Sequence, residues 1–102
     1  MTNSKSIDTG CKKIFSHYKF EHQKLKLWEE MGELIEALTA SQYSTRSGVF
    51  ENVVEEIADV QVMLRQFQLH FSISDERIHA LMEQKIKRTI DRMNKQPETA
   101  LK

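Results

Sequence analysis

Residues 28–34 read Trp-Glu-Glu-Met-Gly-Glu-Leu and residues 54–60 read Val-Glu-Glu-Ile-Ala-Asp-Val, so one pattern occurs twice at an offset of 26 residues. In the two copies every position pairs by residue type, with apolar residues separated by acidic ones. At about 100° of rotation per residue, the apolar positions of each copy fall on one side of an α-helix. The repeat therefore predicts two similar amphipathic helices that pack against each other.

Each predicted helix carries an apolar seam with acidic residues beside it. The first seam is Leu27, Met31, Leu34 and Leu38, and the second is Val53, Ile57, Val60 and Leu64. Glu30 and Glu56 lie at one flank of their seams, and Glu33 and Asp59 follow about one turn later on the same side. In an antiparallel pair of helices joined by a polar loop, these carboxylates can converge.

The rest of the sequence favours helices as well, because strand-like alternation is missing and few glycines interrupt it. The predicted elements are a short helix over about residues 12–20, which precedes or merges with a long helix reaching residue 40, a loop over 41–48, and helices over 50–70 and 75–94. Ser74, followed by two acidic residues, is a typical N-cap for the last helix. We expect an all-α bundle of two long antiparallel helices and a C-terminal helix, completed by oligomerisation.

Length and composition limit the organisation of the chain. With 102 residues it supports one domain. We expect a flexible N-terminal arm over residues 1–10, a helical domain over 11–96 and a C-terminal tail over 97–102. Lys and Arg together number 15, as do Asp and Glu, which argues against binding to duplex nucleic acid. The single Cys11 and the lack of a signal peptide or an 18-residue apolar run predict a cytoplasmic protein without a membrane partner.

Four carboxylates brought together need a positive partner. At about 5 Å and an effective dielectric constant near 20, each pair repels by roughly 3 kcal/mol. Oxygen ligands suit a hard cation such as Mg²⁺ or Mn²⁺, whereas the alternative is that these acidic residues simply face solvent. The neighbours Glu29 and Glu55 have three open roles, which are support of the ligands, orientation of a water molecule, or plain surface.

The motifs Glu29-Glu30-Met31-Gly32-Glu33 and Glu56-Ile57-Ala58-Asp59 resemble the signature of the MazG-like family of all-α nucleoside triphosphate pyrophosphohydrolases. The resemblance covers about residues 18–93. It implies that Mg²⁺ binds the four acidic ligands and that water attacks a nucleoside triphosphate to give the monophosphate and pyrophosphate. The implied metal ligands are Glu30, Glu33, Glu56 and Asp59.

The resemblance also implies roles for other residues. Glu29 and Glu33 are the expected catalytic carboxylates, and the expected substrate-binding residues are Gln23, Lys85 and Arg92. Two positions depart from the family pattern. Thr89 stands where relatives commonly carry Asn, and Lys19 stands where they often carry Gly after the aromatic residue that precedes Gln23.

Two further features bear on assembly. The helix over residues 24–40 is apolar around roughly half its circumference, wider than the roughly 100° stripe of a helix with one neighbour. We therefore expect a homodimer or homotetramer, a state the resembling family also adopts. Trp28 and Phe50 allow two interpretations, stacking on a base or packing in the core, of which the core is favoured.

Two other functions compete with the hydrolase. A catalytically idle helical bundle of the same fold, binding a nucleotide or a protein partner, fits the departure at Thr89. A di-iron carboxylate protein is a third hypothesis, since Glu76 and His79 form a Glu-x-x-His motif. A di-iron bundle needs two such motifs and further glutamates, so one copy is weak support.

Overall fold

The computed structural model describes residues 4–96, which form three helices joined by short connections. These are α1 (Ser4–Tyr43), α2 (Val49–His70) and α3 (Asp75–Lys95). No strand occurs within the described range, so the predicted all-α class is confirmed. The chain divides into two compact units, of which Met1–Ser72 contains α1 and α2, and Ile73–Lys102 contains α3.

The ends of the chain differ in part from the expectation. Residues 4–10, predicted as part of a flexible arm, are helical and begin α1. The carboxylate of Asp8 accepts two hydrogen bonds from the Arg65 guanidinium, at 2.7 and 2.8 Å, and this ion pair fastens the start of α1 to α2. Residues 1–3 and the predicted tail over 97–102 lie outside the described residues.

The α3 unit begins as the sequence predicts. The Ser74 hydroxyl accepts a hydrogen bond from the backbone N–H of Arg77 at 3.1 Å, which satisfies one of the free donors at the helix start. Asp75 and Glu76 occupy the first turn and complement the helix dipole. The predicted N-cap is therefore confirmed.

The long helix α1 consists of two helical segments joined at Lys19, whose backbone has φ 70° and ψ 171°. This left-handed extended conformation is open to glycine and costs other residues about 1–3 kcal/mol. The predicted junction near residue 20 thus coincides with a break in the helix. Lys19 is also the position at which the resembling family often carries glycine.

An aromatic cluster supports this break. Phe15 and Phe20, on either side of Lys19, meet the ring of Phe67 edge to face at centroid distances of 5.2 and 5.3 Å. The imidazole of His70 stacks on Phe15 at 4.7 Å. Aromatic pairs of this kind contribute about 0.5–1.5 kcal/mol each beyond their buried area, so together they offset the strain at Lys19.

The seam between α1 and α2 follows positions that alternate by four and three residues, as in a coiled coil. On the second segment of α1 the buried and half-buried positions are Gln23, Leu27, Glu30, Leu34 and Ala37, and α2 continues the pattern with Val53, Glu56, Val60, Met63 and Phe67. Glu30 and Glu56 therefore lie within the seam, whereas the sequence predicted that they would lie at its flank.

The predicted apolar seams are only half correct. Leu27, Leu34, Val53 and Val60 are half-buried, whereas Met31, Leu38, Ile57 and Leu64 are exposed. Trp28 and Phe50, for which a core position was favoured, are exposed as well. Among the described residues, no helix has the length and apolar character needed to cross a membrane.

Replacing Lys19 with glycine is expected to raise the free energy of unfolding by about 1 kcal/mol. Relief of about 1–3 kcal/mol of backbone strain exceeds the extra chain entropy, roughly 0.5–1 kcal/mol, that glycine brings to the unfolded state. Urea-induced unfolding followed by circular dichroism measures the change. The matched control Lys13→Gly, within a regular helix, should lose about 1 kcal/mol. Equal destabilisation of the two variants would contradict the expected strain.

Candidate metal centre

Three glutamates from the two helices converge between α1 and α2. Glu30 and Glu33 lie about one turn apart on α1, and Glu56 comes from α2. One carboxylate oxygen from each residue lies within 4.8 Å of the others. The predicted convergence of the duplicated motifs is therefore present for three of the four proposed ligands.

Burial makes this group of carboxylates unusual. Glu30 is only 8% exposed, and Glu56 is half-buried. The Oε1 atoms of Glu30 and Glu56 are buried and have no hydrogen-bond partner. A buried carboxylate oxygen without a partner is costly, because it has lost its water without gaining another donor. A hard cation would offset this cost, so the donor set fits Mg²⁺ or Mn²⁺.

The electrostatics of the group agree with its geometry. The charge of Glu30 raises the pKa of Glu33, and burial adds to the effect. Burial raises the pKa of Glu56 above its usual value, with the charge of Glu33 as the next cause. Both carboxyls are thus easier to protonate than free glutamates, as expected where negative charges crowd together.

Acidification is expected to stabilise the metal-free protein. Because the pKa values of Glu33 and Glu56 lie above the usual 4.5, the folded protein binds protons at a pH where the unfolded chain does not. Their contribution to stability is complete below that usual value and disappears as the pH rises through the raised values. Thermal unfolding in EDTA should therefore occur at higher temperature at about pH 5 than at about pH 7.

A Glu33→Gln/Glu56→Gln double variant isolates this contribution. The unfolding temperature of this variant should depend less steeply on pH over the same range. Addition of Mg²⁺ should likewise weaken the pH dependence of the unfolding temperature in the unaltered protein. Asp8 does not interfere. Its pKa is lowered by the hydrogen bond from Arg65, so its contribution is lost only as the pH falls below about its usual 3.8. An equally steep dependence in the double variant would contradict the prediction.

Asp59 is the predicted ligand that does not join this group of three. It is exposed, and its carboxylate is not among the three that meet within 4.8 Å. Aspartate is one methylene shorter than glutamate, so its oxygens extend less far from α2. Its negative charge still contributes to the raised pKa values of Glu33 and Glu56. Its role as a fourth ligand stays a prediction.

A cleft of about 220 Å³ opens beside the carboxylates. Its lining includes Glu30 and Asp59 at the acidic group, together with Tyr18, His22 and Gln23. The rings of Tyr18 and His22 stack at a centroid distance of 4.5 Å. The cleft therefore joins ring-bearing side chains directly to the carboxylates.

Gln23 has partners within the protein. Its Nε2 donates to Oε1 of the buried Gln66 at 2.9 Å, and its own Oε1 lies 2.7 Å from Nδ1 of His22. Gln23 is 2% exposed, so its amide fixes the wall of the cleft. Contact between Gln23 and a substrate stays a prediction. Gln66 could not be identified from the sequence, because a lone glutamine in an amphipathic helix has no distinguishing signal.

Lys26 is the second residue that the sequence analysis missed. Its Nζ lies 3.1 Å from Oε1 of Glu29 and 3.1 Å from Oε2 of Glu30. Hydrogen bonds to Glu29 and then to Glu30 raise the pKa of Lys26. The available signal was its spacing, since a lysine three and four residues before two glutamates can reach both on a helix.

The remaining predicted residues lie on exposed helix surfaces. Glu29 and Glu55 are exposed on α1 and α2, and the catalytic roles of Glu29 and Glu33 stay predictions. Lys85 and Arg92 are exposed on α3, within the second unit, and their binding to substrate is likewise a prediction.

In comparisons with known proteins, no family model, curated protein or solved structure matches this chain.

Proposed function

We propose that the protein is a Mg²⁺-dependent hydrolase that converts a nucleoside or deoxynucleoside triphosphate to the monophosphate and pyrophosphate. The observation that carries the proposal is the pair of buried Oε1 atoms of Glu30 and Glu56, which lack partners within a group of three carboxylates. A protein maintains such an arrangement when function requires it, since apolar residues at these seam positions would be more stable. The resemblance of the duplicated motifs to the MazG-like family supports the same reaction.

Glu30, Glu33 and Glu56 would hold the cation, with Asp59 as a further ligand. When bound, Mg²⁺ (or Mn²⁺) supplies positive charge to the phosphate oxygens and lowers the pKa of coordinated water. The protein contributes a fixed set of oxygens, because Glu30 and Glu56 are held within the seam between two packed helices. Such prior ordering of ligands is what makes a metal site effective.

The other residues act on water and phosphate. Glu29 and Glu33 would accept a proton from the attacking water, which forms a bond to the α phosphorus while the bond from the α phosphorus to the α–β bridging oxygen breaks. That oxygen leaves as part of pyrophosphate. Lys85 and Arg92 would neutralise the departing phosphates, a task suited to ammonium and guanidinium groups. Gln23 would contact the nucleoside from the wall of the cleft.

The first unit also has an exposed apolar surface, for which a second copy of the chain is the proposed occupant. A hollow of about 460 Å³ is lined by Leu27, Trp28, Met31 and Ile35, all from α1. Trp28 is 77% exposed, and contiguous apolar surface of this kind marks an interaction site. We propose a homodimer or homotetramer in the cytoplasm, with a nucleotide as substrate.

A panel of ribo- and deoxynucleoside triphosphates incubated with Mg²⁺ tests the activity. The expected products are the nucleoside monophosphate and pyrophosphate, identified separately by chromatography and by an enzyme-coupled pyrophosphate assay. Release of orthophosphate alone would contradict the mechanism. Tight nucleotide binding without turnover would favour the alternative of a catalytically idle helical bundle. The sequence feature that supports this alternative is Thr89, which stands where the resembling family commonly carries Asn.

A further inference from the structure

Lys26 forms the only ion pair that the structure gives to the three converging carboxylates within residues 4–96. Its ammonium touches Oε2 of Glu30, while Oε1 of the same carboxylate is buried without a partner. Lys26 also lines the cleft beside Glu30, Asp59 and Gln23. It therefore contacts both the acidic group and the space that a ligand would occupy.

We propose that Lys26 serves two partners in turn, Glu30 in the metal-free protein and an anionic phosphate group of the ligand once a divalent cation occupies the carboxylates. This inference rests on the proposed function and identifies a phosphate-binding residue within it. Binding of the cation to the acidic group is thereby coupled, through Lys26, to binding of the phosphate group in the cleft.

Charge is the first reason for this exchange. In the metal-free protein the Lys26 ammonium offsets part of the repulsion among the glutamates. A divalent cation brings two positive charges to the same oxygens and neutralises most of their negative charge, so the attraction between Lys26 and Glu30 weakens. The exposed Glu29 still pairs with Lys26, but a phosphate group in the cleft would offer it a stronger partner.

Mobility is the second reason. The Lys26 side chain is 43% exposed, whereas that of Glu30 is 10% exposed, so the lysine can move while the glutamate stays. Lysine carries a compact charge on a flexible stem, which permits a change of partner. Its second contact, with the exposed Glu29, is also weakly held.

The test measures two affinities of a Lys26→Met variant without relying on turnover. Mn²⁺ binding in the absence of nucleotide is followed by electron paramagnetic resonance, and binding of inorganic tripolyphosphate at saturating Mn²⁺ is followed by calorimetry. The Kd for Mn²⁺ is expected to fall about fivefold, because a competing cation is removed. The Kd for tripolyphosphate is expected to rise about tenfold, because a charge-assisted contact is lost.

Two variants control for charge and helix packing. Lys24→Met removes a lysine from the same helix that pairs with Glu21 at 3.3 Å, and it should leave both affinities unchanged. Lys26→Arg retains the charge and should restore both affinities to within about twofold of the unaltered protein.

The outcomes separate this inference from the function on which it rests. Weaker Mn²⁺ binding in Lys26→Met would mean that Lys26 merely holds Glu30 in place, and would overturn the inference. Unchanged tripolyphosphate binding would overturn it as well. If the unaltered protein binds Mn²⁺ and shows both opposing shifts but releases no pyrophosphate from any nucleotide, the inference stands and the proposed hydrolysis fails. If it binds no Mn²⁺, both fail.

Discussion

Replacing Glu30 with glutamine is expected to weaken Mn²⁺ binding and reduce pyrophosphate release by at least about 100-fold, because loss of a supporting residue alone typically costs 10–100-fold. Glutamine keeps the size of the side chain and its place in the seam, so packing between α1 and α2 is preserved. The carboxylate charge is lost from the most buried of the three converging glutamates. Electron paramagnetic resonance and the coupled pyrophosphate assay measure the two effects independently.

Other substitutions on the same helix sharpen this experiment. Glu21→Gln changes an exposed glutamate that pairs with Lys24 on the surface of α1, and it should leave metal binding and turnover intact. Glu29→Gln should retain Mn²⁺ affinity within about threefold but lose turnover, if Glu29 accepts the proton of the attacking water. Full activity in Glu30→Gln would exclude this carboxylate group as the catalytic centre.

Replacing Trp28 with lysine is expected to separate the proposed oligomer into monomers. At an exposed position of a monomer, such a change alters the free energy of unfolding by no more than about 0.5 kcal/mol. A buried tryptophan at the centre of an interface contributes about 2 kcal/mol or more to association, which corresponds to at least about a 30-fold rise in the dissociation constant. Sedimentation velocity at micromolar concentrations distinguishes the two cases.

Tyr43 provides the matched control. It is 81% exposed at the end of α1 and is not part of the hollow around Trp28. Tyr43→Lys should leave the sedimentation coefficient unchanged. A monomeric unaltered protein at micromolar concentration would show that the apolar surface serves some purpose other than self-association.

The sequence predicted the helices well because their signals are local. The Ser74 cap, the polar loop before α2 and the junction near Lys19 each depend on neighbouring residues. The face on which α1 and α2 meet was harder to predict, because polar Gln23 and Glu30 occupy seam positions that usually hold apolar residues. Apolar side chains such as Met31 and Ile57 lie outside that seam, so counting apolar positions selected a rotated face.

The part of the candidate site that could be predicted is the part that the duplicated motifs contain. The duplicated motifs identified Glu30, Glu33 and Glu56, which do converge. Burial of a glutamate and the lack of a partner for its oxygen arise from packing, so they could not be deduced from spacing. The contribution of Lys26 could not be deduced either, because it depends on the side-chain rotamer that reaches the carboxylate. Several lysines in α1 have spacings that would allow such a contact.

The break at Lys19 has a consequence for how the cleft opens. Because the helical hydrogen-bond ladder is interrupted there, we expect residues 4–18, which contact α2 through Asp8 and the aromatic cluster, to open as a unit of their own. Such a unit can detach without melting the residues that follow it, so its backbone amides exchange with solvent sooner. Tyr18, at its end, lines the cleft. Opening of the first helical segment is therefore expected to widen access to the cleft, while Glu30 and Glu56 stay in place.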